Sequence, residues 1–225
     1  MQEKATKQLL KKIIEDYSHI SEDFSQTRQH QWKEFEAFLP YLKVNSHIAD
    51  IGCGNGRFYK FLKEKLKTHY TGIDNNPELI KIAKKTFKET EFIKGDLLKI
   101  PLKTASIDTA LEIASLHHVP TKKLRTEAIK ELHRILKTNG IAIITVWNLF
   151  QPKYKKYVWK ARLKSLFGKY EARDTFIPWS NTGINRYYYA FKPQELRDLL
   201  EKQGFEIIKE THGNNFVFIC KKLKS

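Results

Sequence analysis

The chain has 225 residues, of which 41% are hydrophobic, and this suits one domain with a substantial core. Its longest apolar runs, such as residues 141–146, are too short to cross a bilayer, and residues 1–12 lack the apolar block of a secretion signal, so we expect a cytoplasmic protein without a membrane anchor. The formal net charge of +16 is more than a small neutral ligand requires and favours a nucleic acid, although a generally lysine-rich surface would give the same charge.

Two helices are predicted before the first strand. Residues 4–18 and 27–44 carry apolar side chains at helical spacing, and Pro40 should bend or end the second helix early. Because both segments precede the sheet, we expect residues 1–45 to form a helical cap over a ligand site at its edge.

A strand over residues 47–52 leads into a glycine turn, Asp50-Ile51-Gly52-Cys53-Gly54-Asn55-Gly56, and a helix over 55–67. Glycines let the backbone bend and approach a ligand closely, and a helix N-terminus attracts an anionic group. Nicotinamide and flavin sites also use such turns, but with the spacing Gly-x-Gly-x-x-Gly. Here the spacing is Gly-x-Gly-x-Gly, and Asp50 would repel a pyrophosphate but could anchor an ammonium group.

Two more strands end in acids. Residues 70–74 end in Asp74, which could accept hydrogen bonds from two ribose hydroxyls. Asn75 or Asn76 can cap the helix that follows. Residues 91–96 form a third predicted strand, which ends in Asp96.

The second half of the sheet is predicted from four further strands, the last two of which form a hairpin. Residues 107–113 form strand four, a helix capped by Thr121 runs to residue 136 with Gly140 as its stop, and residues 141–148 form strand five. After an insertion at 149–191 without clear alternation, a helix at 193–203 precedes an antiparallel hairpin of residues 205–211 and 215–221. The pattern predicts a single α/β domain over residues 1–225, whose seven-stranded, mostly parallel sheet ends in that hairpin.

The glycine turn and the three acids at strand tips resemble the Rossmann-like class I S-adenosylmethionine (SAM) methyltransferases over residues 45–148. The resemblance implies SAM as the cofactor. It places Asp50 near the methionine ammonium, Asp74 at the ribose and Asp96 at the adenine amino group. The cofactor-binding residues that it implies are Asp50, Gly52, Gly54, Gly56, Asp74, Asn75, Asp96, Leu97 and Ile113.

A narrower resemblance covers most of the chain. Several blocks are similar to those of the tRNA wobble-uridine carboxymethyl methyltransferases. These blocks are Tyr17-x-x-Ile20-x-x-x-Phe24-x-x-Thr27-Arg28-x-x-x-Trp32, residues 113–118, Val146-Trp147, Asp174-x-Phe176-x-Pro178-Trp179, Arg186-Tyr187-Tyr188 and Asn214-Asn215. The implied reaction is methyl transfer to the carboxylate of 5-carboxymethyluridine at the tRNA wobble position. A carboxylate is already ionised at neutral pH, so no general base is needed.

The catalytic candidates follow from this chemistry. Arg28 and Arg186 could each position the carboxylate with a planar guanidinium, and Arg28 could instead bind the carboxylate of SAM. His117 and His118 are adjacent, so we expect one of them in the site and the other in packing, and for the same reason we predict no metal. The resemblance adds Asp174 to this set.

Substrate contacts are predicted from aromatic and basic residues. Trp147 could wall the pocket, while Trp179, Tyr187 and Tyr188 could stack on an anticodon base or could simply form a satellite core. We interpret the stretch that is richest in basic and aromatic residues as an arm that faces tRNA. The alternative interpretation is that the same residues form an amphipathic surface helix. This arm comprises Lys153, Tyr154, Lys155, Lys156, Tyr157, Trp159, Lys160, Arg162, Lys164, Phe167 and Lys169.

The family resemblance also implies a partner, a small zinc-binding activator protein on the edge of strand three, near residues 89–96. Such an edge offers free backbone groups for association. Two other functions stay open at this stage. One is a SAM methyltransferase acting on a small metabolite, and the other is a non-catalytic RNA-binding subunit that keeps the fold.

Overall fold

The structure is a computed structural model, and it describes residues 3–28, 32–166, 168, 170–180 and 182–224. Its strands are β1 (His47–Ile51), β2 (His69–Asp74), β3 (Glu91–Lys94), β4 (Ile107–Ile113), β5 (Leu136–Trp147), β6 (Asp174–Pro178), β7 (Asn185–Tyr189), β8 (Phe205–His212) and β9 (Asn215–Lys222). Seven of them form one sheet in the order β3-β2-β1-β4-β5-β9-β8. Strands β1 to β5 pair in parallel, and β9 runs antiparallel to both β5 and β8. This confirms the predicted α/β class and its C-terminal hairpin.

The helices are α1 (Glu3–His19), α2 (Ser21–Thr27), α3 (Arg57–Leu62), α4 (Pro77–Thr86), α5 (Lys122–Ile135), α6 (Pro152–Ser165) and α7 (Pro193–Lys202). The sheet separates two large apolar cores. One core includes side chains of α1, α5 and α7, and the other includes side chains of α3, α4 and the 3-10 stretch Lys33–Tyr41. The strand tips that carry the glycine turn are therefore held from both faces of the sheet.

The predicted helix over residues 27–44 is wrong in the part that the structure describes. Helix α2 ends at Thr27, residues 29–31 lie outside the described range, and residues 33–41 form a 3-10 helix. A 3-10 helix has three residues per turn, so Phe35 and Phe38 lie on one face, and both are fully buried. Pro40 lacks the N–H that an α-helix would need at that point.

Gly140 does not end helix α5, contrary to the sequence-based prediction. The helix ends at Ile135 and β5 begins at once with Leu136, so that Gly140 lies inside the strand. The register between β5 and β4 shifts between Ile107 and Thr109 of β4. A Cβ at Gly140 would come within 2.8 Å of the carbonyl oxygen of Lys137, so the glycine permits a close approach of two backbone segments.

The 149–191 insertion has more regular structure than its sequence pattern indicates. It contains helix α6 and a separate two-stranded sheet of β6 and β7. A small core built on Leu149, Ile177, Tyr188 and Ala190 holds these elements together. Two residues of the predicted tRNA-facing arm, Phe167 and Lys169, lie outside the described residues.

Strand β3 is an edge of the large sheet, as the family resemblance implies. Glu91 and Lys94 on this strand are exposed, Ile93 is half-buried and Phe92 is buried, so the edge is largely polar. In the described part of the chain, no helix is both long enough and apolar enough to cross a bilayer.

Candidate active site

A cavity opens at the carboxyl ends of β1, β2, β4 and β5, and side chains of α1 and α2 cover it. This is where ligands bind in open α/β sheets. Fourteen of the residues singled out in the sequence line this cavity. They are Arg28, Asp50, Gly52, Gly54, Asp74, Asn75, Asp96, Leu97, Ile113, His117, His118, Trp147, Arg186 and Tyr188.

The glycine turn forms the floor of the cavity. Gly52, Gly54 and Gly56 all have positive φ angles, of 77°, 56° and 79°. A Cβ at Gly52 would collide with Ser115 at 2.4 Å, whereas a Cβ at Gly54 would meet only the Phe24 ring, at 3.8 Å. Gly54 therefore leaves space on the ligand side, and Gly52 allows the turn to pack against the segment that follows β4.

The Asp74 carboxylate is fixed by backbone groups. Its two oxygens accept hydrogen bonds from the N–H groups of Gly54 and Asn76, both at 2.8 Å. Burial raises the pKa of Asp74, and these N–H groups partly offset the rise. The Asn76 side chain also caps α4 and donates hydrogen bonds to the carbonyl of Ile14 and the hydroxyl of Ser18 on α1, both at 3.0 Å. Asn76 thus anchors the cap beside this acid.

Asp50 presents a buried carboxyl group with an unused oxygen. Its Oδ2 accepts a hydrogen bond from the Tyr70 hydroxyl at 2.6 Å, while Oδ1 is buried without a hydrogen-bond partner. Burial raises the pKa of Asp50 to about 7, and the Tyr70 hydroxyl offsets only part of that rise. A cationic ligand group in the cavity would satisfy the free oxygen and lower this pKa.

Three arginines face the same cavity, and the structure gives none of them a carboxylate within ion-pair distance in the described residues. They are Arg28, Arg57 and Arg186. Burial and the nearby Arg186 lower the pKa of Arg28, and burial with the charge of Arg28 lowers the pKa of Arg57 to about 10. Such a cluster is suited to anionic ligands.

Arg57 was not predicted from the sequence. This residue is the first of α3, directly after the glycine turn, and its guanidinium lies over the ring of Trp32, 4.3 Å from the centroid. A cation at a helix N-terminus opposes the helix dipole. That local conflict, next to a ligand-binding turn, was the available signal in the sequence.

Arg186 on β7 lies among aromatic rings. Its guanidinium carbon is 4.3 Å from the ring centre of Trp179, 5.2 Å from Tyr188 and 5.7 Å from Trp147. The Nε atom is buried and has no hydrogen-bond partner, and Arg186 is 5% exposed. The rings fix the guanidinium plane and leave donors for a ligand.

The two histidines differ in their hydrogen bonds. The Trp147 backbone N–H donates to His117 Nδ1 at 3.1 Å, so Nε2 of the neutral ring carries the proton, and it has no partner. His118 Nδ1 is 2.7 Å from the carbonyl oxygen of Tyr187 and its Nε2 is 2.9 Å from the Tyr17 hydroxyl, so both nitrogens are used. Burial lowers the pKa of both rings, to about 3 for His118. His117 alone offers a free donor.

Several predicted residues lie away from the cavity. Asp174 is buried and accepts hydrogen bonds from the Tyr187 hydroxyl at 2.7 Å and from the Glu171 N–H at 2.8 Å. Trp179 donates a hydrogen bond from its indole N–H to Asp23 on α2, and its ring packs against the guanidinium of Arg186. Gly56 faces the rings of Phe87 and Phe92 instead of the cavity.

The exposed lysines of helix α6 also lie outside the cavity. They are Lys153, Lys155, Lys156, Lys160 and Lys164. At the start of the same helix, the Tyr154 ring stacks on Trp147 with 6.0 Å between centroids. Helix α6 therefore begins at the cavity wall.

A family model described as "Methyltransferase domain" matches residues 49–144. The structure is similar to that of a SAM-dependent methyltransferase from Methanosarcina mazei, with a TM-score of 0.73 and 27% identity over 84% of this chain and 98% of that one. It also shares its fold, at 12% identity and a TM-score of 0.69, with a structure titled as a complex between the Haloferax volcanii Trm112 methyltransferase activator and a methyltransferase, over 95% of this chain and 98% of that chain.

Two curated relatives carry the same enzyme name. The Schizosaccharomyces pombe tRNA (carboxymethyluridine(34)-5-O)-methyltransferase is 31% identical over 88% of this chain and 89% of its own length. The mouse tRNA (carboxymethyluridine(34)-5-O)-methyltransferase ALKBH8 is 34% identical over 64% of this chain, but the match spans only 21% of the mouse protein.

The sheet order, the glycine turn and the acids at the strand tips define a class I SAM-dependent methyltransferase. Within that class, the similarity to the S. pombe protein over nearly the whole length of both chains is decisive. The chain belongs to the tRNA (carboxymethyluridine(34)-5-O)-methyltransferase family, as its sequence blocks predict.

The cavity fits SAM, the cofactor of this class. The unpartnered oxygen of Asp50 suits the methionine ammonium, and the open side of Gly54 leaves room for the ligand. Asp74 would hold the ribose, while Leu97 and Ile113 provide apolar walls. Bound SAM supplies an electrophilic methyl group on its sulfonium sulfur. Below, the term cofactor half means the glycine turn with Asp50, Asp74, Asp96, Leu97 and Ile113. The term substrate half means Arg28, His117, Trp147, Arg186 and Tyr188.

Proposed function

We propose that this protein transfers a methyl group from SAM to the carboxylate of a 5-carboxymethyluridine at the wobble position of tRNA, and so forms a methyl ester. The observation that carries the proposal is Arg186, a buried arginine without an ion-pair partner among the described residues, in the same cavity as Asp50 and Asp74. A buried charge without a partner is costly, and a ligand carboxylate would remove that cost.

Two anions have to be placed in the cavity, since both SAM and the proposed substrate carry a carboxylate. Arg57 lies beside the glycine turn, and Arg186 lies near both Trp147 and Trp179. We assign Arg57 to the cofactor carboxylate and Arg186 to the substrate carboxylate. Burial and the charge of Arg186 lower the pKa of Arg28, and burial and the charge of Arg28 lower the pKa of Arg57, so Arg28 is near both and would attract both anions.

The residues of the substrate half suit a reaction that needs no general base. The substrate carboxylate is ionised at neutral pH, and His117 is held neutral with its proton on Nε2. His117 can therefore donate a hydrogen bond to an anion but cannot remove its charge. Arg186 would fix the carboxylate plane, and placing one oxygen at near-attack distance is the main catalytic contribution of these side chains.

Helix α6 supports tRNA as the substrate. Its fourteen residues include five lysines and one arginine but no acid. The Tyr154 ring in its first turn stacks on Trp147, which lines the substrate half. Cations beside the opening of the cavity would bind the phosphates of the anticodon loop while the wobble base enters it. Trp147 and Tyr188 are stacked on each other with 5.1 Å between centroids and can wall in a base.

A protein partner at the β3 edge is also part of this proposal. Its support is the free edge of β3 and the family resemblance, with the shared fold of the H. volcanii complex as background. The partner would be a small zinc-binding activator that pairs with the backbone of β3, and the half-buried Ile93 could pack against it. The free buried thiols of Cys53 and Cys220 fit the reducing cytoplasm in which such a complex would work.

The test is mass spectrometry of tRNA nucleosides from a strain that lacks the gene. The expected result is loss of the wobble methyl ester and accumulation of its carboxylate precursor, both reversed by the wild-type gene. A strain with a catalytically dead variant, Asp74→Ala combined with Arg186→Gln, should resemble the deletion. An unchanged nucleoside profile, with a small metabolite methylated instead, would refute the tRNA assignment.

A further inference from the structure

A chain of hydrogen bonds links Arg186 on β7 to Tyr17 on the cap helix α1. Arg186 Nη1 is 3.5 Å from the hydroxyl oxygen of Tyr17, on cap helix α1. The Tyr17 hydroxyl is in turn 2.9 Å from His118 Nε2, and His118 Nδ1 is 2.7 Å from the carbonyl oxygen of Tyr187. This hydrogen-bond chain joins helix α1, the 3-10 turn after β4 and strand β7.

The chemistry of the partners fixes the direction of every hydrogen bond in the chain. A carbonyl oxygen can only accept, so His118 Nδ1 carries the proton and donates to Tyr187. The neutral ring then accepts at Nε2, and the Tyr17 hydroxyl must donate to it. The Tyr17 oxygen consequently keeps its lone pairs for other donors, and Arg186, which can only donate, is 3.5 Å from it.

The position of Tyr17 is well determined. Its ring packs edge-on against Phe24 and His118, with 5.5 and 5.1 Å between centroids. Helix α1 is held next to Asp74 by the side chain of Asn76, which donates to Ile14 and Ser18. The packing of the cap therefore holds the Tyr17 hydroxyl beside Arg186 and His118.

We propose that Tyr17 is a positioning residue that orients Arg186 toward the substrate carboxylate, and that His118 is the neutral anchor of Tyr17 and takes no part in proton transfer. This inference rests on the proposed function for the role of Arg186. It assigns the cap a part in catalysis, because the Tyr17 hydroxyl reaches Arg186 only when α1 is packed on the sheet. His118 lines the cavity but has no free nitrogen to offer a ligand.

The first test needs no substrate. NMR of the full-length protein with ¹⁵N-labelled histidine should find His118 neutral, with its proton on Nδ1 and with Nε2 as a hydrogen-bond acceptor. In Tyr17→Phe, which keeps the ring and removes only the hydroxyl, the Nε2 resonance should move toward the value of an unbonded nitrogen, while His117 stays unchanged. A proton on Nε2 in the wild type, or no change in the variant, would overturn the hydrogen-bond chain.

The second test measures single-turnover methyl transfer to tRNA that contains 5-carboxymethyluridine. Tyr17→Phe should lower the rate at saturating SAM by about tenfold or more, while the dissociation constants of SAM and tRNA change by less than about threefold. The same substitution in an Arg186→Lys background should have little further effect. A matched control is Tyr41→Phe, since Tyr41 lies in the 3-10 stretch away from the cavity and should leave the rate unchanged.

Two substitutions separate an anchor from an acid–base catalyst. His118→Gln places an amide oxygen where it can accept from Tyr17, whereas His118→Asn is too short to do so. The anchor role predicts a faster rate for His118→Gln than for His118→Asn, and equal inactivity would contradict it. A Tyr17→Phe variant that loses SAM affinity, or keeps the wild-type rate, would also overturn the inference. If the wild type, purified together with any protein bound at the β3 edge, fails to methylate this tRNA, the proposed function falls, and NMR still decides whether the hydrogen-bond chain exists.

Discussion

The two halves of the cavity are built in different ways. The cofactor half is held by the backbone: Asp74 accepts two N–H groups, and the glycine turn is fixed by its φ angles. The substrate half brings together side chains from four distant segments, represented by Arg28, His117, Trp147 and Arg186, and aromatic packing holds them. The cofactor half is thus local in sequence, and the substrate half depends on tertiary structure.

This difference predicts which measured quantity each half controls. Substitutions in the cofactor half should weaken SAM binding, because they remove groups that bind SAM itself. Substitutions in the substrate half should slow methyl transfer more than they weaken tRNA binding, because most of the affinity for tRNA comes from phosphate contacts elsewhere. The following substitutions test the division, from the largest expected effect to the smallest.

Arg186→Gln should have the largest effect. Loss of the guanidinium leaves the nucleophile poorly placed, and a shift of about 1 Å can cost on the order of a hundredfold in rate. We expect a drop of that order in single-turnover rate at saturating SAM. The dissociation constant of tRNA should change by less than about threefold. Arg197→Gln, a surface arginine paired with Glu210, is the matched control. A wild-type rate for Arg186→Gln would remove Arg186 from the site.

Asp74→Ala should weaken SAM binding by roughly 1.5–3 kcal/mol, the typical value of hydrogen bonds to a charged acceptor. Arg57→Gln should raise the same dissociation constant by about tenfold, since it removes a charge-assisted hydrogen bond to the cofactor carboxylate. Calorimetry with the purified variants measures both constants. If Arg57→Gln instead slowed the reaction at saturating SAM without changing the dissociation constant, Arg57 would belong to the substrate half.

The α6 lysines should affect tRNA alone. Replacing Lys155, Lys156 and Lys160 by glutamate should weaken tRNA binding and lower the salt slope by roughly 0.7–0.9 for each phosphate that the helix no longer neutralises. SAM affinity should not change. The control carries the same charge change on α4, at the exposed Lys81, Lys84 and Lys85. An equal loss of tRNA affinity in that control would mean that net charge, and not α6, sets the affinity.

The last prediction concerns stability and pH instead of binding or rate. Burial raises the pKa of Glu112 to about 8, with only a partial offset from Ser115, and raises the pKa of Asp50 to about 7. At these two acids the folded protein therefore binds more protons than the unfolded chain between about pH 4 and pH 8. Their contribution to the free energy of unfolding should fall as pH rises through this range, by up to about 1.4 kcal/mol per pH unit for each proton. The burial of neutral His117 and His118 contributes in the opposite direction below about pH 6.5.

Urea unfolding at pH 5 and at pH 8 measures this change. Glu112→Gln should reduce the difference between the two values, while Glu206→Gln, at an exposed site on β8, should leave it unchanged. SAM should restore part of the stability at pH 8, because its ammonium favours the ionised form of Asp50. An unchanged difference between the two values in Glu112→Gln would show that Glu112 is not protonated in the folded protein.

The comparison between the halves also explains what the sequence could predict. The glycine turn and the three acids, each at the end of its own predicted strand, were found from local patterns. All three acids, Asp50, Asp74 and Asp96, line the cavity as predicted from their strands. Arg57 was missed because a charged residue after a turn is ordinarily taken as part of a solvated helix face.

The substrate half could not be built from local patterns. Sequence blocks indicated Arg186 and His118, but both hydrogen-bond to Tyr17, which is 169 and 101 positions away in the chain. In the sequence, Asp174 and Tyr187 could not be told apart from the polar and aromatic residues that line the cavity. In the structure they hydrogen-bond to each other inside the insertion. Arg186 and Tyr188 line the cavity and Tyr187 between them does not, because side chains alternate across strand β7, and the local sequence does not tell which of its faces turns toward the cavity.

The most direct test of the proposed reaction is the product of one turnover with purified protein, isotopically labelled SAM and two matched tRNAs. One tRNA carries 5-carboxymethyluridine at the wobble position, and the other carries the corresponding carboxamide. We predict label on the first tRNA only, as an ester that mild alkali removes, and a much slower reaction with Arg186→Gln. Alkali-stable label on a ring atom, or equal labelling of the carboxamide, would contradict the proposed reaction.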